Sequence, residues 1–401
     1  KAGGRTDRDM IKIAILGLGT VGTGVVKVVE ANAAPIRHRL GEPLCVKTAL
    51  VRTMRSGPYH HLMTENFREI ETDRVVVETI GGVGAAYEYT RRCLMAGKHV
   101  VTANKQLVAE HGCELLELAR KNHVNYLFEA SVGGGIPILH PLTQCMAANR
   151  VDEIYGILNG TTNFILTKMV KEGASFAEVL KLAQQKGYAE ADPTADVQGI
   201  DAGRKICILA DLAFGHQVNP NRVPMEGITK LDLKDVEIAG RHGYRIKLLG
   251  RCLRLEGDRR TAYVAPHLIS MDNPISDVND VFNGIMVRGA ALGDTMFYGR
   301  GAGAAPTASA VVTDIVATLR DGAGSFAPAF AAGTTENCAP SAAFTCRRYV
   351  RSALSAAALT DKLGELAALD GGAYITARAF TEAEFDAITP TLGLISTLRV
   401  L

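Results

Sequence analysis

The 401-residue chain has no excess of charge of one sign: 44 Lys and Arg stand against 42 Asp and Glu, a formal net charge of +2. That excludes a bulk field favouring nucleic acid or an anionic membrane. Short basic clusters at Arg37-His38-Arg39 and Arg347-Arg348 read as solvated surface. No apolar run reaches the roughly 20 residues of a membrane-spanning helix. The N-terminal KAGGRTDRDM lacks the apolar stretch of a secretory signal. The eight cysteines contain no C-x-x-C pair, and no Cys/His cluster has zinc spacing. Reduced thiols without a disulfide framework predict a soluble, cytoplasmic protein.

What is present is an ordinary globular balance, 47% hydrophobic and 21% charged, with length for two or three domains. From residue 11 to 129, short β-branched runs (11–16, 46–51, 75–80, 99–102, 124–128) alternate with helical patterns (21–30, 85–96, 106–121). Such alternation predicts βαβ units and a doubly wound parallel sheet, an α/β fold. After 129 the pattern changes. Residues 175–187 read as a helix, with Ser175 and Glu178 as capping box and Gly187 as its left-handed end. A second long helix is expected over 197–214. Segments 245–255, 261–268 and 284–289 read as antiparallel strands. The predicted division is 1–128 for the first domain, with the helical run 307–321 returning to it, and 129–306 for an α+β second domain. A linker covers 322–343, and a short strand–helix–strand–helix–strand stretch covers 344–401.

Gly17-Leu18-Gly19-Thr20-Val21-Gly22 follows a hydrophobic strand and opens a helix, the setting of a dinucleotide-binding turn. The first glycine permits the tight turn, the second lets a pyrophosphate approach, and the third lets helix pack on strand. The helix N-terminus then faces the phosphates. Where the second strand ends, Arg52 stands in place of the acidic residue that would bind a free ribose 2′-hydroxyl. This favours NADP over NAD. Thr79-Ile80-Gly81-Gly82 and Thr102-Ala103-Asn104-Lys105 lie at further strand ends, where open sheets bind ligands. Between 183 and 205, Glu190, Asp192, Asp196, Asp201 and Lys205 gather round a Gly- and Pro-punctuated loop. Asp201 and Lys205 share one helical face. Composition by itself reads this as a solvated loop with an exposed i,i+4 pair as readily as a site.

That stretch resembles the homoserine dehydrogenase signature, with Ala183, Gly187, Asp192, Pro193, Asp196, Gly199, Asp201 and Lys205 matching position by position. The resemblance takes in the glycine fingerprint, Thr102-Ala103-Asn104-Lys105, the turn from Glu129 to Pro137, Asn159-Gly160-Thr161-Thr162-Asn163, and Tyr298-Gly299-Arg300-Gly301-Ala302-Gly303. It runs from about residue 11 to 317. It implies a Rossmann-type domain, an α+β substrate and dimerisation domain, and NAD(P)-dependent interconversion of L-homoserine and L-aspartate 4-semialdehyde.

By that resemblance the catalytic residues are Lys205, oriented by Asp201, and Lys105. A protonated lysine polarises the carbonyl and supplies the proton to the developing alkoxide. Glu190 takes the substrate ammonium, with Asp196, Gly160 and Thr161 as further substrate contacts. Gly17, Gly19, Thr20, Val21, Gly22, Arg52, Thr79, Gly81, Lys105 and Gly301 hold the cofactor. Glu129, Val132, Gly134 and Ile136 offer oxygen ligands, mostly backbone carbonyls, to a structural monovalent cation, sodium by its hardness. A homodimer or higher homo-oligomer through the second domain's sheet is expected. Bacterial members of this size usually end in an ACT-type regulatory domain, of which 344–401 resembles a shortened version, with a helix at 361–369 and a strand at 373–377. The usual loop glycine after its first strand is replaced by Ser352-Ala353-Leu354-Ser355, so threonine feedback is not expected. No kinase-sized segment precedes residue 11, which argues against the bifunctional aspartokinase form. Two other readings compete: another amino-acid dehydrogenase, and a non-catalytic dinucleotide sensor. The 183–205 signature speaks against the first. A sensor would not need Lys105, Asp201 and Lys205.

Overall fold

The computed structural model describes residues 10–71, 73–324, 328–334 and 339–401. Parts of the linker expected over 322–343, at 325–327 and 335–338, lie outside these, as does Cys338. The chain forms two compact units: 1–148 with 211–217 and 300–332, and 149–210 with 218–299 and 333–401.

In the first unit, apolar strands buried on both faces form a six-stranded parallel sheet. Its order is Met63–Thr64, Leu44–Leu50, Ile11–Leu16, Val75–Glu78, His99–Thr102, Tyr126–Leu127. Ile13, Ile15, Val75 and Val77 are fully buried, the run of β-branched residues that a sheet covered on both sides requires. Strand order reverses beside Ile11–Leu16, which opens a crevice at its carboxyl end. Helix Thr20–Ala31 follows that strand and packs on helix Ala304–Asp321. A Cβ at Gly24 would lie 2.8 Å from the Ala304 carbonyl oxygen, so only glycine allows this approach.

The second unit carries a ten-stranded, mainly antiparallel sheet. The expected strands appear as Tyr244–Arg254, Arg260–Ser270 and Phe282–Gly289, joined by Val151–Ile157, which sequence patterning did not identify. Helix Phe176–Gln185 has the Ser175/Glu178 capping box, and Gly187 is left-handed at φ +73°. The single helix expected over 197–214 is two, Thr194–Val197 and Ile200–Phe214, because left-handed Gly199 (φ +82°) breaks the run.

The C-terminal stretch runs strand, helix, two strands, a two-residue strand, helix and strand. Leu394–Val400 pairs in parallel with Arg260–Ser270, so these strands extend the same sheet. Two expectations need correction here. The helix is Ala356–Leu363, not 361–369; Gly364 at φ +80° ends it, and Leu366–Ala368 becomes a strand paired with Ala373–Thr376. Arg348 is not solvated surface. It is 3% exposed and paired with Glu382, because strand alternation points it inward while Arg347 faces out. At the expected loop glycine, the Ser352 hydroxyl instead donates to the Leu392 carbonyl (2.6 Å) and accepts from the Leu354 N–H (2.9 Å).

Candidate active site

In the second unit the polar cluster is organised by a helix cap. Helix Gly160–Glu172 begins after Asn159, whose Oδ1 accepts from the Thr162 N–H (2.8 Å). That bond fixes the amide, and its Nδ2 then donates to Asp196 Oδ1 (2.7 Å) and Asp201 Oδ2 (2.9 Å). Lys205 Nζ donates to Asp201 Oδ2 and to the Leu158 carbonyl, both at 2.7 Å. Asp201 and Lys205 are only 6% and 7% exposed, so this i,i+4 pair is a buried one. Burial, opposed by the Asn159 amide and reinforced by the Asp201 charge, pushes the Asp196 carboxyl above its ordinary value. Thr161 Oγ1 donates to the Tyr188 carbonyl (2.7 Å). A Cβ at Gly160 would lie 2.8 Å from the Val281 carbonyl oxygen, which reserves that position for glycine.

The four carboxylates of 190–201 therefore separate. Asp196 and Asp201 share the Asn159 amide. Asp192 caps a turn through the Thr194 N–H (3.1 Å) and hydroxyl (2.6 Å), which hold its carboxyl below its ordinary value. Glu190 is exposed and stands outside the bonded cluster. Asn159 lies in a segment that the family resemblance covers but carried no site role there; its place before Gly160 at a helix start was the available signal.

In the first unit the glycine turn has the geometry its spacing implies. Gly17 is left-handed (φ +93°), and its N–H donates to the Leu50 carbonyl (2.9 Å). A Cβ at Gly22 would sit 2.1 Å from the Gly17 oxygen, whereas one at Gly19 would meet nothing within 4 Å. The open space is where a phosphate could approach. Thr20 and Val21 start the helix, and the Thr79 hydroxyl donates to the Gly17 carbonyl (2.7 Å). Gly81 is left-handed. Arg52 is exposed just beyond strand Leu44–Leu50. Three residues on, the Arg55 guanidinium donates to the Leu18 carbonyl, a second cation at the fingerprint that sequence reasoning passed over.

Glu78, also missed, is fully buried and accepts from the Thr102 hydroxyl (2.6 Å) and the Ile80 N–H (2.7 Å). Burial raises its carboxyl above the ordinary value. Lys105 is the first residue of helix Lys105–Lys121, behind the Asn104 cap, and is half-buried.

The turn after Glu129 is held by buried acids. Glu129 accepts from the N–H groups of Ile138 (2.7 Å), Leu139 (2.9 Å) and His140 (2.7 Å), and its own N–H donates to Asp314 (2.9 Å). The other Asp314 oxygen meets His140 Nε2 at 2.7 Å. That bond raises the His140 pKa, while burial raises both carboxyls. Val132 and Ile136 are buried within the turn. A Cβ at left-handed Gly134 would lie 2.6 Å from the Gly301 carbonyl. Among the described residues, no group of three or more His, Cys, Asp or Glu could hold a metal ion, and no helix is long and apolar enough to cross a membrane.

Comparison with known proteins agrees with this chemistry. The model of the homoserine dehydrogenase NAD-binding domain matches residues 17–129, and that of homoserine dehydrogenase matches 137–316. The homoserine dehydrogenase of Bacillus subtilis is 45% identical over 318 residues, 78% of this chain and 73% of that one. The crystal structure of a homoserine dehydrogenase from Thiobacillus denitrificans, 36% identical, superposes with a TM-score of 0.90 over 98% of both chains. A hyperthermophilic archaeal homoserine dehydrogenase in complex with NADPH is 27% identical, with a TM-score of 0.64 over 77% of this chain and 97% of that one. The chain belongs to the homoserine dehydrogenase family, oxidoreductases that use a nicotinamide dinucleotide to interconvert L-homoserine and L-aspartate 4-semialdehyde.

Proposed function

We propose that Lys205 is the proton donor of this reaction, oriented by Asp201, with Lys105 as a second active-site cation. The observation that carries the reading is the buried Asp201–Lys205 pair, fixed by the Asn159 amide and the Leu158 carbonyl. When bound, the reduced dinucleotide supplies the hydride to the aldehyde carbon. As that hydride arrives, Lys205 passes a proton to the carbonyl oxygen, so the aldehyde becomes the alcohol and the lysine is left neutral, to be reprotonated from solvent. In the reverse direction neutral Lys205 accepts the hydroxyl proton. Asp201 keeps the amine aimed through its 2.7 Å hydrogen bond. Glu190 binds the substrate ammonium, its exposure suiting a group that meets ligand rather than protein. Asp196, Gly160 and Thr161 complete the substrate contacts.

For the cofactor, Gly17, Gly19, Thr20, Val21 and Gly22 receive the pyrophosphate, with Thr79, Gly81 and Gly301 nearby. NADP is the preferred dinucleotide, because Arg52 offers a cation where NAD enzymes carry an acid; Arg55 adds a second at Leu18. A monovalent cation, sodium by its hardness, fits the backbone carbonyls of Glu129, Val132, Gly134 and Ile136. The Glu129 carboxylate is already engaged by three N–H groups, which leaves the carbonyls as the oxygen donors of this turn. Its role would be structural. A homodimer through the second unit's sheet is supported by Leu292 and Tyr298, exposed at one end of it (52% and 56%). A cytoplasmic setting suits the free thiols Cys93, Cys113, Cys145 and Cys346. The test follows NADPH absorbance with L-aspartate 4-semialdehyde and repeats it with NADH. Higher kcat/KM with NADH would remove the NADP preference.

A further inference from the structure

The Asp201–Lys205 pair needs a rigid backing, and residues 224–228 provide one. This short strap is bonded to the sheet on both sides of Val264: the Val264 N–H donates to the Pro224 carbonyl (2.9 Å), and the Glu226 N–H donates to the Val264 carbonyl (2.8 Å). The Ile228 N–H donates to the Val197 carbonyl (2.9 Å), immediately before the Ile200–Phe214 helix. Arg399 Nη1 donates to Glu226 Oε2 (2.5 Å) and ties the strap to strand Leu394–Val400.

The fit depends on missing side chains. A Cβ at Gly227 would lie 2.0 Å from the Val197 oxygen, and one at Gly203 would lie 2.3 Å from Met225 Cε. Gly203 falls two residues after Asp201, roughly 200° around the helix, so the Met225 thioether presses on the side away from the pair. On the other side Lys205 and Asp201 are pulled toward the Leu158 carbonyl and the Asn159 amide.

We propose that Met225 is a positioning residue for the reaction: it props the Gly203 turn so that Lys205 Nζ is held at its donating position. The inference rests on the acid/base reading of Lys205. A methionine suits the role, since its long unbranched side chain fills an irregular gap, and a cavity of about 210 Å³ lies beside it. Without the thioether, the turn can relax away from Leu158 and Asn159. Displacements on the order of 1 Å at a reacting group cost up to about 100-fold in rate.

The experiment measures kcat, KM for both ligands and melting temperature for Met225→Ala, Met225→Leu, Gly203→Ala and Gly203→Ala/Met225→Ala, with Lys205→Met in parallel. Met225→Ala is expected to lose about 10- to 100-fold in kcat per folded molecule, with cofactor KM unchanged. Met225→Leu should keep most of the activity. In the double variant the new methyl fills part of the vacated space, so kcat should recover to within about threefold of wild type, a strong non-additivity. Losses that multiply in the double variant, or a Met225→Ala enzyme that only melts earlier with normal kcat, would overturn the inference. Near-normal turnover in Lys205→Met is a separate result and would instead remove the acid/base reading on which it stands.

Discussion

Replacing Lys205 by Met keeps the stem of the side chain and removes its charge, its proton and two bonds of 2.7 Å. Two separate effects follow. Proton donation by a placed side chain contributes about 10²–10⁴ in rate, so kcat should fall by that factor. The substitution also leaves the Asp201 carboxylate buried without its cation. Breaking a buried pair from one side typically costs about 3–5 kcal/mol; here the Asn159 Nδ2 bond to Asp201 remains (2.9 Å), which puts the loss at the lower end. Stability and chemistry must therefore be read apart: melting temperature gives the first, and kcat per folded molecule gives the second. Rates come from NADPH absorbance with L-aspartate 4-semialdehyde. Cofactor affinity, followed by fluorescence titration, should barely change, because the Gly17–Gly22 turn proposed to receive the phosphates belongs to the first unit. Asp201→Asn should also lower kcat, and the double variant should lose less than the product of the two, since the groups act as one. A folded Lys205→Met enzyme with near-normal kcat would refute the assignment and leave Lys105 as donor.

Arg52→Asp should raise the KM for NADPH about tenfold, the scale of one charge-assisted bond, and leave NADH nearly unchanged; equal losses would remove Arg52 from cofactor choice. Deleting 344–401 removes strand Leu394–Val400 from its place beside Arg260–Ser270, and also Phe344, which stacks on Tyr263 at 4.3 Å. The truncated chain should lose cooperative melting and activity together, and a folded, active truncation would contradict this. Burial lowers the Lys247 pKa from 10.5 to about 8. Between those values the folded chain holds fewer protons than the unfolded one, so this group's contribution to stability rises with pH across that window. The melting temperature of wild type relative to Lys247→Met should climb from pH 8 to 10, and a flat or falling difference would show that Lys247 is not held neutral there.

The extent to which these features were legible in sequence follows the range of the interactions behind them. The individual strands of the parallel sheet, the Gly17–Gly22 turn and the Ser175 capping box are signalled by residues a few positions apart, even though the strands then pair over longer separations. Local patterning therefore reports them, and the structure has them. Strand Val151–Ile157 and the Gly199 break needed tertiary context. The strand is stabilised by neighbours about 100 or more residues away in sequence, and the glycine takes a conformation that spacing does not display. Arg348 reads as half of a surface cluster until Glu382, far along the chain, is folded against it.

For the site, the sequence by itself determined the residue types: a glycine turn after a strand, a lysine and an aspartate on one helical face, and an arginine just past the second strand. Only the tertiary structure decided that Asp201 and Lys205 are buried rather than solvated, that Asn159 joins them to Asp196, and that Met225 backs the turn between them. The physical reason is that a charge's environment is set by what surrounds it in space. The strength of an ion pair depends on the water excluded from it, and that exclusion comes from segments remote in the chain.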